Sequence, residues 1–523
     1  MIAVPTTATV APRHLAFGLG VVLTISVLLL ADKFILPLAP LDEGITLVYP
    51  DLILKGYLPN LDFCSLYAPG NYWFLAAAFK LFGASLTVER LVGLGYVFGI
   101  AGAVFFIALD LGLVVAVVLA TSVSMVLQIF YPAAIAAYAW FGAVALMLWS
   151  LAMASGSRQG RSLVAAGMLA GFAITFRHDL AVVMAISGLA VVGWQRDKLL
   201  RYGIGFLFGI MAFAVHFVIA TPEAVITNLV WDVLRAGPTR RLPLNLHSPL
   251  LWSVGLSCVV PALLAGLGFQ RIRRLGDRTM FGIGVVCLGV LPQAVQRADR
   301  WHLAYVGCFT IPLAAVAVLK FAKLYWPQAG DIFALITDRR YRLGSVGAMI
   351  IAMVAIFAQW TMKPFSHDLS NLGLHGGDCA VCVVNEGRVA IVGGNQKQLQ
   401  KTIDELEARS RPGQTLFVGP LDLTRTAYNN SFLYFLFPKL KPSAYYIEMA
   451  PAVTNRAGSR LATDVATAQF ALLDRTYDLW DEPNGSGLAG SSEASMALAR
   501  DFCLVAMHDP YRLYQKCDRP NPS

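Results

Sequence analysis

Charge is what this 523-residue sequence has least of. Asp, Glu, Lys and Arg make up 14% of it, against about 25% in a soluble globular chain, which excludes a molecule wetted on all sides. No P-loop occurs, and V-G-G-N at 392–395, a glycine turn between a predicted strand and a predicted helix, lacks the dinucleotide fingerprint. No internal repeat is evident. The net charge of +9 is not a nucleic-acid footprint, because the basic residues sit mostly in short loops between apolar runs. There they set the orientation of membrane spans.

What the sequence has in quantity is apolar residues, 57% of the total. Uncharged runs of about 18 or more recur through the first 360 residues, the mark of a polytopic helical membrane protein. About eleven spans are predicted, at 15–38, 89–109, 112–130, 133–154, 162–177, 180–194, 202–220, 249–269, 279–295, 303–320 and 344–360. The first run is too long for a signal peptide and lacks a small-residue cleavage site, so it reads as a retained helix. Loops carrying Arg158 and Arg161; Arg196, Lys198 and Arg201; Arg271, Arg273, Arg274 and Arg278; and Lys320, Lys323, Arg339, Arg340 and Arg342 are assigned to the cytoplasm. The N-terminus is then inside, and the segment after the last span is outside. Residue usage suggests a bacterial cytoplasmic (inner) membrane.

Several loops on the outer side carry charge that topology does not require. Asp42 and Glu43 adjoin where the first span ends, and Asp62 and Lys80 follow in the same loop. Arg177, His178 and Asp179 form a tight cluster between two apolar runs. Arg235, Arg240 and Arg241 occupy a later loop, and Q-R-A-D-R-W-H, with Arg297, Arg300 and His302, occupies the next. Arginine on the translocated side runs against the usual bias. Snorkelling to the headgroups or ion pairing within the bundle is the competing reading for each. The loop 39–88 alternates aromatic residues with Pro59, Pro69 and Gly70. Its run Asn71–Phe82 is too short to span and fits an interfacial helix.

The chain divides into a transmembrane domain, 1–360, and a polar domain, 361–523. In the second, Val389–Val392, Thr415–Val418, Tyr445–Glu448 and Phe470–Leu473 are predicted strands, and Gln396–Arg409 and Ser459–Ala468 predicted helices. This alternation indicates a small α/β domain outside the membrane. Cys379, Cys382, Cys503 and Cys517 lie here, an even number suited to disulfides, with Cys503–Cys517 the favoured pair. Cys379-x-x-Cys382 is either a second disulfide or half of a zinc or redox site, with no second C-x-x-C to complete it.

A carboxylate at the mouth of a helix suits general-base work on a hydroxyl. Clustered Arg and His suit a phosphate leaving group, whose growing charge they stabilise. Outside the cytoplasm an activated sugar has to be carried by lipid, which explains a site at membrane level. The ordered set L-D-E-G (41–44), G-Y-L-P-N-L-D-F (56–63), Y-A-P-G-N-Y-W-F-L-A-A-A-F-K-L-F-G (67–83) and E-R-L-V-G (89–93) resembles the start of the GT-C superfamily of polyprenyl-phosphate-sugar-dependent glycosyltransferases. The resemblance is to the bacterial protein-O-mannosyltransferase-like and aminoarabinose-transferase-like group. It covers roughly residues 15–110, with one departure: relatives carry Pro-Pro or Lys-Pro-Pro where only Pro69 stands here.

The resemblance implies an inverting transferase acting outside the cytoplasm on a glycan, lipid or protein acceptor. Asp42 matches the position of the catalytic base, with Glu43 beside it. Basic residues of later outer loops hold the donor phosphate, and topology nominates Arg177, His178, Arg297, Arg300 and His302. Asp62, Tyr67, Lys80, Asp179, Arg235, Arg240 and Arg241 are further candidate contacts. No cofactor is expected; a divalent metal on Asp42, Glu43, Asp179 and Asp299 is the less favoured option. The competing class is a transporter or flippase, which calls for an internal repeat and broken half-helices in matched positions.

Overall fold

The computed structural model describes residues 11–131, 133–155, 160–275, 277–326, 382–478 and 480–517. The predicted span 344–360, Cys379, Arg158, Arg339, Arg340, Arg342 and the boundary between the two domains lie outside these residues. Within them, seven helices are long and apolar enough to cross a membrane, and Ala139–Ser155, Ser162–Phe176 and His178–Val192 are shorter apolar helices. Together they account for the ten predicted spans that fall in this region.

The Arg196–Ile219 helix leaves Leu207, Phe208, Met211, Val215 and Val218 exposed, an apolar stripe with no protein partner, as a lipid-facing helix requires. Its other face meets the Gly160–Phe176 helix at backbone distance. Gly167 and Gly171 on one helix and Gly205 and Gly209 on the other each stand where a Cβ would strike a backbone atom of the partner. Two small-xxx-small stripes thus interlock and fix the position of the turn that follows Phe176. The predicted span 133–154 becomes helical only at Ala139. The preceding residues stay irregular because their backbone serves side chains: Ala137 N donates to Glu89 Oε1 at 2.7 Å, and Ala137 O accepts from Asn71 Nδ2 at 2.8 Å.

The polar segment forms a hairpin, β1 (Cys382–Asn385) with β2 (Arg388–Ile391), and a five-stranded sheet. The sheet strands are β3 (Thr415–Pro420), β4 (Lys441–Pro442), β5 (Phe470–Asp474), β6 (Phe502–His508) and β7 (Tyr511–Lys516). Their order is β4-β3-β5-β7-β6, with β3 parallel to β4 and β5, and β7 antiparallel to β5 and β6. Burial on β3 and β5 is nearly continuous, as expected for strands covered on both faces. The Gln396–Arg409 helix forms over the predicted residues. Cys503 and Cys517 are joined across the β6–β7 pair, Cα atoms 5.4 Å apart, and Cys382 is also disulfide-bonded.

Tyr445–Glu448, predicted as a strand, is irregular. Its hydrogen bonds go to other partners: Tyr445 N donates to Asp464 Oδ2 at 2.9 Å, and Tyr445 O accepts from Cys64 N at 2.7 Å. The segment is a strap onto the loop 39–88 rather than a sheet member. That loop, expected to lie at the membrane interface, is largely claimed by the polar segment. Ile45, Val48, Tyr49, Phe63, Tyr72 and Phe79 share one buried core with Leu433, Phe435, Phe437 and the sheet. Phe74, Leu81 and Phe82 remain exposed, an apolar edge free to meet lipid.

Candidate active site

The helix Asp42–Leu54 opens on the acidic pair, and successive residues on a helix point about 100° apart. The two carboxylates therefore meet different surroundings. Glu43 is buried and grips Arg90 with both oxygens, Nε–Oε1 2.8 Å and Nη2–Oε2 3.2 Å, while Oε2 accepts Ala39 N at 2.6 Å. Arg90 Nη1 also donates to the carbonyls of Lys33, Phe34 and Leu36 at 3.1, 2.8 and 3.0 Å. One ion pair thus ties the end of the first span, the connector and the start of the next helix together. On the other flank Gly44 lies so close to Ser431 and Phe432 that a Cβ would collide with both, and Ser431 Oγ donates to Leu41 O at 3.0 Å. Asp42 is held from both sides by its neighbours.

Asp42 itself makes no hydrogen bond or ion pair among the described residues. Its carboxyl opens into a cavity of about 460 Å³. From the helical part the wall includes Tyr67, Arg177, Arg240, Arg297 and His302; the polar segment roofs it with Tyr428, Tyr477 and Trp480. A narrower pocket of about 120 Å³ continues into the bundle past Thr46, Tyr72, Tyr138 and Trp140, and Asp42 belongs to both. The residue is accessible to solvent in this cavity although protein surrounds it. Desolvation pushes the Asp42 carboxyl above its usual pKa; His302, Arg240 and Arg297 pull it back, and Glu43 adds to the rise.

The basic side chains are aimed by local partners. Asp299 caps the Arg300–Tyr325 helix, its Oδ1 accepting Trp301 N and His302 N at 2.9 and 2.8 Å. Its Oδ2 meets His302 Nδ1 at 2.8 Å and Arg297 Nε at 3.1 Å, and these contacts hold the Asp299 carboxyl below its ordinary range despite burial. His302 Nε2 is left for the cavity. Arg297 also pairs with Glu482 and donates to Arg240 O at 3.4 Å. Arg240 pairs with Glu448 at 3.3 Å and donates to Met449 O at 3.1 Å, leaving its buried Nε without a partner. Arg177 lies about 5 Å from the ring centroids of Tyr67 (5.4 Å) and Trp140 (5.2 Å) and forks onto Asp179 at 2.9 and 2.6 Å.

Of the residues nominated from sequence, the fold brings Asp42, Tyr67, Arg177, His178, Asp179, Arg240, Arg297 and His302 to one cavity. His178 is tied there through Nε2 to Leu229 O at 2.9 Å. Others lie elsewhere. Glu43 faces Arg90. Asp62 closes its own turn by accepting Leu58 N at 2.6 Å. Arg235 pairs with Asp232 at 2.9 Å, and Lys80, Arg241 and Arg300 are exposed and outside the cavity wall. Among the described residues no three His, Cys, Asp or Glu side chains converge as metal ligands. Sequence reasoning missed Glu448, Glu482, Tyr428, Tyr477 and Trp480, because the polar segment carries no motif to flag them. The Asp299 cap was readable from its place three residues before His302.

Apolar helices under an α/β domain, with an acid and several arginines in the cleft between, define a polytopic membrane protein with a charged cavity where the two meet. Two solved structures share this fold. The crystal structure of ArnT from Cupriavidus metallidurans bound to undecaprenyl phosphate aligns over 98% of this chain and 100% of its own, with a TM-score of 0.55 and 13% identity. The same protein in the apo state aligns over 96% and 98%, with a TM-score of 0.52 and 12% identity. No family model matches the sequence, and a search of curated proteins returns no match.

Proposed function

We propose that the chain is an inverting glycosyltransferase that moves a hexosyl or pentosyl group from a polyprenyl-phosphate carrier to an acceptor hydroxyl outside the cytoplasm. The observation that carries this reading is Asp42: a carboxylate without a partner among the described residues, facing Arg177, Arg240, Arg297 and His302 in one cavity. A charge left unsatisfied among opposite charges is poised for a ligand that supplies the missing contacts. The fold shared with ArnT, a protein crystallised with undecaprenyl phosphate, supports a lipid-phosphate carrier.

Asp42 accepts the proton of the acceptor hydroxyl as its oxygen attacks the anomeric carbon. The bond from that carbon to the phosphate oxygen breaks, and the electron pair leaves on the phosphate. Arg177, Arg240, Arg297 and the His302–Asp299 pair stabilise the charge as it develops. Burial keeps Asp42 basic enough to take the proton. The ion pair of Glu43 with Arg90 positions Asp42 without touching substrate. No separate acid is needed, because polyprenyl phosphate leaves the donor phosphodiester readily as an anion. The cytoplasmic N-terminus, the external C-terminal domain and a bacterial inner membrane belong to the same reading.

The test is to incubate the protein, purified into lipid nanodiscs, with a panel of labelled polyprenyl-phosphate hexoses and pentoses and a cell-envelope extract. Release of polyprenyl phosphate, with an inverted anomeric configuration in the product, is expected for one of them. Movement of an intact labelled lipid between leaflets without cleavage would instead identify a flippase.

A further inference from the structure

Tyr428, Tyr477 and Trp480 form an aromatic cluster that the hydrophobic core does not use. Their ring centroids stand 5.5 Å (Tyr428–Tyr477), 5.2 Å (Tyr428–Trp480) and 6.1 Å (Tyr477–Trp480) apart. All three line the main cavity. All three also line a second cavity of about 150 Å³, which takes in Asp422, Arg425 and Asp478 and lies wholly within the polar segment. The rings are therefore a partition, with the proposed transfer site on one side and a pocket of mixed charge on the other. That pocket has binding capacity to spare. Asp422 holds Thr424 through Oδ1, with N at 3.0 Å and Oγ1 at 2.6 Å, and its Oδ2 stands 3.6 Å from Arg425 Nε. Asp478 makes no side-chain hydrogen bond or ion pair among the described residues.

Flat rings beside carboxylates and a guanidinium suit a saccharide. The C–H face of a sugar ring lies on an aromatic face, its hydroxyls donate to carboxylates, and its oxygens accept from guanidinium. An acyl chain has no use for Asp422, Arg425 and Asp478, and a bare cation has none for three rings. We infer that this second cavity is a saccharide subsite that holds the acceptor as a glycan, past the aromatic partition from Asp42. The inference rests on the transferase reading for the word acceptor, but the binding it requires is separately measurable.

The full-length protein in detergent is screened on an array of hexose, pentose and hexosamine oligosaccharides. The best soluble oligosaccharide is then titrated by calorimetry, with no donor present. Binding is expected. Trp480→Ala and the conservative change Asp478→Asn should each weaken it about tenfold, and Lys80→Ala, outside both cavities, should leave it unchanged. Absence of binding to every oligosaccharide, or affinity unchanged in both subsite variants, overturns the inference. So does competition by excess polyprenyl phosphate, which would put the sugar in the donor site. If an oligosaccharide binds as described but no donor is ever consumed, the transferase reading fails and the glycan site stands.

Discussion

Asp42 and Glu43 are consecutive residues of one type of chemistry, and the fold treats them in opposite ways. The Glu43 region is closed. Its carboxylate receives a guanidinium and a backbone amide, and the guanidinium in turn satisfies three carbonyls. The Asp42 region is open, with Arg177, Arg240, Arg297 and His302 around a cavity and, among the described residues, none hydrogen-bonded or ion-paired to the acid. Buried charge that is fully paired specifies structure and leaves nothing for a substrate. Charge kept near its complement but not touching it is costly to the fold and available to a ligand. The contrast separates a positioning residue from a catalytic one within a single dipeptide.

The sharpest way to break this comparison is to neutralise each acid in turn. Asp42→Asn should lower turnover by about 10²–10⁴-fold and should not lower the melting temperature. Burial raises the folded-state pKa of Asp42, so its ionised form is less favourable in the folded than in the unfolded chain. The resulting penalty is present at neutral pH and disappears as pH falls through the folded-state value. Asp42→Asn should therefore melt higher than the parent at neutral pH, and the gap should close on acidification. Glu43→Gln should do the reverse. It leaves the Arg90 charge buried and unpaired, at a cost of about 3–5 kcal/mol, read as a lower melting temperature in detergent. A Glu43→Gln protein that melts normally but is inactive would erase the distinction.

Smaller changes sharpen it. Arg297→Ala or His302→Ala should each reduce turnover by about 10²-fold, since each removes a hydrogen-bond donor from the wall facing the leaving phosphate. Both residues also lower the Asp42 pKa, so the acid limb of the pH–rate profile, expected above the usual carboxylate range near ~4, should move to higher pH in either variant. The smallest effect belongs to the cations outside the cavity: Lys80→Ala, Arg241→Ala and Arg300→Ala should each leave turnover within about twofold. A large loss in any of them would mean that the cavity drawn around Asp42 is not the whole site.

The spans were legible because a membrane demands long apolar runs, and the Gln396–Arg409 helix because its period is local. The loop charges at Arg177–Asp179 and Arg297–His302 were legible as exceptions to a topological bias. What a sequence does not carry is the identity of distant partners. Nothing local couples Glu43 to Arg90, 47 residues on, so both carboxylates read alike until the fold separated them. Tyr445–Glu448 has the composition of a strand, but Asp464 and Cys64, both distant in sequence, take the hydrogen bonds of its Tyr445 backbone. The aromatic roof of the cavity was invisible for the same reason, since Tyr428 is distant in sequence from Tyr477 and Trp480 and meets them only in the folded polar segment.

The transfer mechanism requires that the unpaired charge of Asp42 act in the chemical step. The direct measurement is donor affinity and single-turnover rate for purified Asp42→Asn with the labelled polyprenyl-phosphate sugar that the parent protein consumes. Affinity within a few-fold of the parent, together with a rate lost by at least about 10²-fold, is the expected result. A transfer rate equal to that of the parent would contradict it.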